Sequence, residues 1–311
     1  MSEPFVSYAQ NFEDVMLWRA FKGVKAGFYI DVGGFDPVVD SVTHAFYERG
    51  WSGLNIEPVP ALAKKFGESR PRDINLILAV SDRNGMTKMF EIAETGLSTL
   101  DADAARLHSN AGRSVIEHDM ETTTLAEICS KHVTGDIHFL KVDVEGAEAE
   151  VLRGMDFQRW RPRIVMVEAT KPGTSEPSHE SWEPQLLAQR YEFLWFDGLN
   201  RFYASQEKAG ELRQHFKCPP NPFDEFQMHR ELALLQKNKQ ARMDTQAAND
   251  AKEASASELK RIKEANHKAR CGDREKVAAM QHLLRYHRSN PLRALALWWD
   301  HKFKSEKDPK F

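Results

Sequence analysis

The sequence predicts an α/β fold in which helices flank a mostly parallel sheet, followed by a helical tail. Short runs of β-branched and aromatic residues alternate with helical stretches between Phe28 and Tyr203, which is the pattern of a parallel sheet covered by helices. Beyond Pro222 the next proline is Pro291, and alanine and charged residues dominate the interval, which favours a long helix. With 311 residues and 41% hydrophobic side chains, the chain is long enough to bury a full core.

Five near-continuous apolar runs predict strands that are buried on both faces. They are Phe28–Val32, Leu54–Glu57, Asn75–Val80, Ile137–Val144 and Ile164–Ala169. Tyr191–Phe196 and Arg201–Ser205 flank a glycine-containing connection, and this arrangement predicts an antiparallel hairpin that closes the sheet. Lys88–Ile92 and Ser114–His118 are predicted to be edge strands of a cap or lid around residues 96–99.

Composition divides the chain into three predicted segments. Closely spaced prolines between Cys218 and Pro222 end the body, because prolines deny a helix its backbone donors. The segments are a body at 1–223, a long helical or coiled-coil segment at 224–290, and a short basic amphipathic tail at 291–311. The apolar residues of the second segment share no unbroken heptad register, so a single helix, a helical hairpin and a coiled coil remain alternatives.

The tail carries one apolar stripe at helical spacing, formed by Leu292, Leu295, Trp299 and Phe303. A stripe of this kind beside lysine and arginine is typical of an interfacial membrane anchor, and a terminal helix that docks on the body or on a second subunit is the alternative. Residues 224–311 carry a net charge of +6, whereas the residues before them carry −9. The acidic body argues against a nucleic-acid partner, because such binding depends on neutralising phosphates.

The absence of three sequence features predicts the cellular compartment of the protein. The cysteines lie far apart with no metal-ligand spacing, which favours free thiols in a reducing compartment and no structural zinc. Residues 1–10 have neither the basic nor the apolar region of a signal peptide. No run of eighteen apolar residues occurs. We therefore expect a cytoplasmic protein that makes peripheral contact with the membrane face through its basic tail.

Acidic and glycine residues follow the first two predicted strands. The first strand ends in Asp31-Val32-Gly33-Gly34 and the second in Glu57, at the sheet edge where open α/β folds bind ligands. An acid in the position of Glu57 accepts hydrogen bonds from ribose hydroxyls in dinucleotide-binding proteins, but the GxGxxG pattern of those proteins is absent. An acid on the first strand suits a ligand with a positive amino group, so S-adenosylmethionine fits better than a pyrophosphate. The alternative for the glycines is an ordinary tight turn.

The third and fourth strands end in further polar side chains. Ser81 or Asp82 is expected to accept a hydrogen bond from an adenine amino group, and a capping turn is the alternative. Lys141, Asp143 and Glu145 alternate along the fourth strand and are expected to share one face. The alternative is an ion pair between Lys141 and Asp143, with Glu145 favouring the amino end of the next helix.

Glu168 adds a carboxylate at the end of the fifth strand. With Asp31, Asp143 and Glu145 it makes four acids at one edge of the sheet, a set that could hold a divalent cation. Because an ion cannot be inferred without geometry, the sequence alone assigns no metal site.

The residues at these strand ends resemble the FkbM-type family of S-adenosylmethionine-dependent methyltransferases. The resemblance extends over residues 7–223 and is most specific in the fourth strand. In one departure, Gly34-Phe35-Asp36-Pro37 follows Gly33 where family members often have Asn-x-Gly. The matching segments are Ser7-Tyr8-Ala9-Gln10-Asn11-Phe12-Glu13-Asp14, Asp31-Val32-Gly33-Gly34, Asn55-Ile56-Glu57-Pro58, Ala79-Val80-Ser81-Asp82, and Phe139-Leu140-Lys141-Val142-Asp143-Val144-Glu145-Gly146-Ala147-Glu148 with Val151-Leu152-Arg153-Gly154.

This resemblance implies a Rossmann-like, seven-stranded class I methyltransferase sheet with S-adenosylmethionine as the cofactor. It also implies O-methylation of a hydroxyl on a sugar, a glycan or a glycosylated metabolite, as in bacterial polysaccharide biosynthesis. The cofactor contacts that it implies come from Asp31, Gly33, Gly34, Glu57, Ser81 and Asp82, with Gln10 and Asn11 completing the pocket.

Methyl transfer to a hydroxyl needs a base, because an alcohol is a poor nucleophile until its proton is shared. We expect Asp143 or Glu145 to be that base, with Lys141 holding the carboxylate or the developing alkoxide. His44 is the rival base. The acceptor is expected to contact polar and aromatic groups of the second half of the body, namely Trp182, Glu183, Asp197, Asn200 and Arg201.

A function of another class remains open. In it the body binds the cofactor as a scaffold or tethering protein, and the helical tail recruits partners in a glycan-assembly complex. Under both hypotheses the helical segment is the expected contact for a homo-oligomer or for a glycosyltransferase.

Overall fold

The computed structural model describes residues 4–92, 98–100 and 102–289, together with 292, 293, 295–297 and 299. The strands in these residues are β1 (Phe5–Ser7), β2 (Phe28–Val32), β3 (Ser52–Ile56), β4 (Ile74–Leu76), β5 (Ala79–Val80), β6 (Gly85–Ile92), β7 (Val115–Thr123), β8 (Phe139–Val142), β9 (Ile164–Glu168), β10 (Tyr191–Phe196), β11 (Asn200–Ser205) and β12 (Phe226–Met228). The α-helices are α1 (Glu13–Phe21), α2 (His44–Glu48), α3 (Pro60–Ser69), α4 (Ala102–Asn110), α5 (Leu125–His132), α6 (Glu148–Arg153), α7 (Glu183–Ala188), α8 (Gln206–Leu212) and α9 (His229–Ser289). Short 3-10 helices cover His179–Ser181, Arg213–Phe216 and Pro222–Asp224.

The predicted α/β class is confirmed, and so is a helical C-terminal region. The large sheet has the strand order β10-β11-β9-β8-β2-β3-β4 in the described chain. Strands β2, β3, β4, β8 and β9 run parallel, whereas β11 is antiparallel to both of its neighbours. The chain leaves β2 toward one edge and later passes from β8 toward the other. The crevice beyond β2 and β8 is therefore the point where the strand order reverses, which is where open α/β sheets bind ligands.

Alternate residues of the central strands face opposite sides of the sheet. Ile30, Leu140 and Val165 belong to a core that also contains side chains of α5, α6 and α7. Tyr29 and Phe139, one residue earlier on their strands, belong to a second core with side chains of α1, α2 and α8. The sheet is thus buried by helices on both faces, as its apolar strands require.

The third predicted strand, Asn75–Val80, is wrong as a single element. Its first part is β4 in the large sheet, and its last two residues are β5 in a separate three-stranded sheet of order β5-β7-β6. The chain changes sheets at Ile77 and Leu78, of which Ile77 is exposed. A continuous apolar run cannot report such a change, because burial against either sheet demands the same residue types.

The predicted cap strands form, but they pair with each other and are not edge strands of the large sheet. Lys88–Ile92 is the second half of β6, and Ser114–His118 coincides with the first half of β7, which begins at Val115. The two strands pair antiparallel along eight residues, and β7 also pairs with β5. Residues 96 and 97 of the predicted cap lie outside the described part of the chain.

The chain divides after Ala233 into two compact units, later than the predicted end of the body at Phe223. The reason is that β12 pairs parallel with β1, and that Asp224 accepts hydrogen bonds from Arg19 Nε and Nη2 at 2.7 Å each. Both contacts tie residues 224–228 to the body.

The second unit consists of the rest of α9 and the residues after it. Between His229 and Ser289 the chain is one uninterrupted helix. Of the three alternatives for this segment, the structure thus has the single helix. Among the described residues, no helix combines the length and the apolarity needed to cross a membrane. Most of the predicted amphipathic tail at 291–311 lies outside the described residues, so its membrane contact stays a prediction.

The N-terminal segment is held to the sheet through two buried acids at the start of α1. Glu13 accepts hydrogen bonds from the Asn11 backbone N–H at 2.8 Å and from Asn200 Nδ2 at 2.9 Å. Asp14 accepts from the Ser7 hydroxyl and the Tyr8 backbone N–H, both at 2.7 Å. Burial raises the pKa of Glu13 to about 8, an effect to which the nearby Asp197 carboxylate adds.

We expect the stability of the protein to fall between pH 6.5 and pH 8, and Glu13→Gln to reduce that fall. Folded Glu13 retains a proton that the unfolded chain has already released, so stability decreases as the pH rises toward its folded pKa of about 8. The measurement is the midpoint of thermal unfolding at both pH values. Glu211→Gln, which changes an exposed acid on α8, should retain the wild-type decrease. Equal decreases in wild type and Glu13→Gln would contradict this assignment.

Candidate active site

A cavity of about 270 Å³ opens at the carboxyl ends of β2, β3 and β8. The loops that follow these strands line it with residues 33–35, 57–58 and 143–145. The apolar side chains of Leu78, Val80 and Met89 and residues 98–100 also line the cavity. The cavity thus lies at the reversal of strand order and is lined by both charged and apolar side chains.

The loop after β2 needs glycine at two consecutive positions. Gly33 has a φ of +80°, and a Cβ atom there would lie 1.7 Å from the carbonyl oxygen of Asp143. A Cβ on Gly34 would lie 2.7 Å from Cζ of Phe66. The loop after β2 therefore approaches the loop after β8 and helix α3 more closely than any side chain would permit.

Lys141 joins the ends of β2 and β8. It lies directly opposite Asp31 in the strand register, on the face of the sheet that carries Tyr29 and Phe139. Its Nζ donates to the carbonyl oxygen of Gly33 at 2.8 Å and lies 3.2 Å from Asp31 Oδ1 and 3.3 Å from Asp143 Oδ2. Burial by itself would lower the pKa of Lys141, but the two carboxylates outweigh burial and raise it.

Asp31 lies behind the cavity wall. Its side chain is 1% exposed, and its Oδ2 accepts a hydrogen bond from the Thr43 hydroxyl at 2.9 Å. Arg70, which is fully buried, donates in turn to Thr43 at 2.6 Å and to Ser41 at 2.6 Å. This network supports the residues that follow the glycine loop, and it gives Asp31 the position of a supporting residue.

Glu57 lies on the cavity and also organises it. Its Oε2 accepts from the Phe35 backbone N–H at 2.9 Å, and its Oε1 accepts from the Val59 backbone N–H at 2.9 Å. Burial raises the pKa of Glu57 to about 7, although both hydrogen bonds oppose that effect. Each carboxylate oxygen can accept more than one hydrogen bond, so Glu57 retains acceptor capacity toward a ligand.

Three carboxylates come together beside the cavity. Asp143, Glu145 and Glu168 each offer an oxygen, and these oxygens lie within 4.8 Å of one another. Glu145 has a φ of +54°, and the Thr99 hydroxyl donates to its carbonyl oxygen at 2.7 Å. Burial, and then the charge of Asp143, raise the pKa of Glu145 to about 8 and raise the pKa of Glu168 well above its ordinary range. The expected common face is thus only partly formed, because the strand ends at Val142 and the chain turns through Glu145.

The other predicted cofactor residues divide between cavity and surface. Gln10 lines the cavity. Its neighbour Asn11 instead donates to the carbonyl oxygen of Asp197 at 3.2 Å. Ser81 and Asp82 do not line the cavity, and Asp82 pairs with Arg153 at 3.1 Å. The structure therefore brings Gln10, but not the other three, to the wall of the cavity.

The predicted acceptor residues do not surround this cavity. Trp182 is fully buried and packs edge-on against Tyr203. Glu183 accepts from Arg201 at 2.9 Å, and Asn200 is bonded to Glu13 and is 3% exposed. Such contacts are those of residues that support the hairpin.

Of the predicted acceptor residues, Asp197 lines a second cavity among the described residues. This second cavity, of about 540 Å³, is also bounded by Asn11, Trp195 and Phe226. His44, the rival base, packs against Tyr8 at the start of α2 and does not line the first cavity. Burial lowers the pKa of His44 to about 4, which makes it a weak base.

Sequence reasoning missed several residues that shape the site. Leu78 and Met89 come to the cavity from the connection before β5 and from β6, and no local pattern indicates that they meet the loops of the large sheet. Arg70 gave no signal either, since an arginine between helix and strand is usually exposed. Glu13 could have been noticed, because two consecutive acids open a helix in the segment that matches the family pattern.

The chain was compared with protein families, curated proteins and solved structures. Residues 31–193, more than half of the chain, match the family model of the methyltransferase FkbM domain. The chain is also similar to the crystal structure of methyltransferase FkbM from Methylobacillus flagellatus KT, with 11% sequence identity and a TM-score of 0.35. That similarity covers 60% of this chain and 47% of that chain, about half its length. No curated protein matches the chain.

We expect Lys141→Met to destabilise the fold by about 3–5 kcal/mol, the usual cost of leaving a buried partner charge unpaired. Asp31 would lose the cation that faces it, and the Gly33 carbonyl would lose its donor. The measurement is the free energy of unfolding in urea. Lys131→Met breaks an exposed pair with Glu127 and should leave the free energy of unfolding nearly unchanged. Similar small losses in both variants would contradict the supporting role of Lys141.

Proposed function

The chain belongs to the FkbM methyltransferase family, and from this premise we propose that it binds S-adenosylmethionine in the first cavity and methylates a hydroxyl oxygen. The proposed acceptor is a sugar, a glycan or a glycosylated metabolite, as in bacterial polysaccharide biosynthesis. The observation that carries the proposal is the cavity at the reversal of strand order, which is lined by two glycines, Glu57 and Asp143.

We further propose that the large sheet is the Rossmann-like sheet of class I methyltransferases. Its five parallel strands follow the spatial order 3-2-1-4-5 when numbered along the chain, as the corresponding strands of doubly wound dinucleotide-binding folds do. The antiparallel β11, placed between β9 and β10, distinguishes it from a plain dinucleotide-binding sheet.

The residues of the cavity fit S-adenosylmethionine in three respects. The glycine loop leaves backbone accessible, Glu57 has acceptor capacity for ribose hydroxyls, and Leu78, Val80 and Met89 offer an apolar surface to a base. The Asp143 carboxylate would attract a cationic ligand and repel a pyrophosphate. When bound, S-adenosylmethionine supplies an electrophilic methyl group on a positively charged sulfur.

The residues of this chain would then position the acceptor and take its proton. Asp143 lies on the cavity, and its Oδ2 is 3.3 Å from Lys141 Nζ. An acceptor hydroxyl within hydrogen-bond distance of Asp143 would share its proton with that carboxylate as the oxygen becomes nucleophilic. Alignment of the hydroxyl with the methyl group and exclusion of water are the remaining tasks of the cavity.

A second candidate function is a scaffold or tether, and the surface of α9 favours it. This 61-residue helix leaves several large apolar side chains exposed, among them Leu235, Leu259 and Leu284. We propose it as the contact for a second copy of the chain or for a glycosyltransferase, with the basic tail bringing the protein to a membrane face. Tight cofactor binding without methyl transfer to any sugar acceptor would favour this function over catalysis.

We expect Glu57→Gln to weaken binding of S-adenosylhomocysteine by about 10-fold or more, the cost of one charged hydrogen bond being roughly 1.5–3 kcal/mol. Calorimetric titration measures the affinity, and thermal unfolding measures the separate cost to the loop, because the amide nitrogen of glutamine cannot accept a hydrogen bond from one of the two backbone N–H groups, those of Phe35 and Val59, that donate to Glu57. Glu68→Gln removes an exposed acid from α3 and should bind like wild type. If wild type bound NAD in preference to S-adenosylhomocysteine, the proposal would be wrong.

Asp143→Asn should lower turnover by about 100-fold or more, because general-base catalysis contributes roughly 10²–10⁴-fold. Affinity for S-adenosylhomocysteine and the unfolding midpoint should change little, since Lys141 keeps its contacts with Asp31 and Gly33 in this variant. The assay is transfer of labelled methyl groups to cell-envelope sugars, with Asp119→Asn, an exposed change on β7, as the control. Near-normal turnover would exclude Asp143 as the base.

A further inference from the structure

The carboxylates of Asp143, Glu145 and Glu168 lie close together, and Lys141 pairs with Asp143. The oxygens that they offer lie within 4.8 Å of one another. Oxygens on one Mg²⁺, each about 2.1 Å from the ion, are roughly 3–4 Å apart, so only a small closure of the side chains separates the cluster from that geometry.

An independent observation is that two buried oxygens in this cluster accept no hydrogen bond from the described residues. They are Glu145 Oε2 and Glu168 Oε2, and Glu168 is only 8% exposed. The neighbouring Glu148 shows the ordinary arrangement, since its Oε1 accepts from the backbone N–H groups of Val144 and Gly146 at 3.3 and 3.0 Å. Buried polar atoms without hydrogen-bond partners indicate a ligand, because burying a polar atom without a hydrogen bond costs free energy.

Nearby cations in the described chain do not compensate these two oxygens. Lys141 directs its ammonium to Gly33, Asp31 and Asp143, and the Thr99 hydroxyl donates to the carbonyl oxygen of Glu145 rather than to its side chain. Within the described residues, Lys141 thus pairs with Asp143 of this cluster and leaves the two glutamate oxygens without a hydrogen bond. A divalent cation would supply the missing contacts.

We propose that Asp143, Glu145 and Glu168 bind one divalent cation of the oxygen-preferring class, Mg²⁺ or Mn²⁺, beside the first cavity. Carboxylate oxygens are the ligands that these ions prefer, and the absence of sulfur and imidazole from the set disfavours zinc. Because Asp143 and Glu145 also line the cavity, the open coordination positions of the ion would face an acceptor hydroxyl. That role in acceptor binding rests on the proposed function, whereas the cation site itself does not.

The test is titration of the EDTA-treated, dialysed full-length protein with Mn²⁺, with free Mn²⁺ followed by electron paramagnetic resonance. We expect about one Mn²⁺ per chain, displaced by Mg²⁺. Glu168→Gln keeps the shape of the side chain and removes its charge, and it should weaken binding at least ~10-fold, the smallest loss usual even for residues that only support a metal ligand. The control is Glu176→Gln, which removes an exposed acid paired with Lys171 on the loop after the same strand, and it should bind like wild type.

A second variant and a second ligand keep the outcomes separate. If Glu168→Gln does not fold, Glu145→Gln should show the same loss of Mn²⁺ binding. Absence of Mn²⁺ binding, or equal binding by wild type and the folded variant, would overturn the cation site. Calorimetry with S-adenosylhomocysteine tests the proposed function separately. A protein that binds S-adenosylhomocysteine but not Mn²⁺ would contradict only the cation site. A protein that binds Mn²⁺ but not S-adenosylhomocysteine would contradict only the proposed cofactor.

Discussion

The contacts of the Lys141 ammonium hold the first cavity together. Three groups meet on this one nitrogen: the Asp31 carboxylate of β2, the Gly33 carbonyl of the loop after β2 and the Asp143 carboxylate of the loop after β8. The strands that carry them lie side by side at the point where the chain turns to opposite edges of the sheet, so no further strand covers their ends. A buried charge is costly unless it is paired, and this requirement fixes the separation of the two loops. The glycines at 33 and 34 then allow the loops to come close.

The other buried carboxylates at this edge of the sheet oppose folding. Burial raises the pKa values of Glu57 and Glu145, which means that ionising them costs free energy in the folded state. A protein selected for stability alone has no reason to bury several acids beside one another. Clusters of acids with perturbed pKa values are a property of functional sites, and here a cationic donor and a divalent ion would each relieve part of the repulsion.

The long helix follows different physical rules from the body. Its side chains are almost all exposed, so its stability comes from backbone hydrogen bonds, helix-favouring residues and pairs one turn apart, such as Gln240 with Asp244 and Gln246 with Asp250. The exposed leucines near its two ends contribute nothing to such a helix alone. They are the chemical basis for proposing a partner at this surface.

The sequence alone determined the α/β class, the positions of most strands and the acids at their ends, because these depend on residue type and on neighbours along the chain. The closing hairpin and the helical tail were also predicted from local pattern. The sequence could not determine which strand ends meet. The tertiary structure decided the contact of Lys141 with Gly33, 108 residues away, and the contact of Glu13 with Asn200, 187 residues away. The division of residues 75–80 between two sheets, the burial of Trp182 and the position of Asp31 behind the wall were decided in the same way. In each case the residue type suits two environments equally well, and only the packing of distant segments selects one of them.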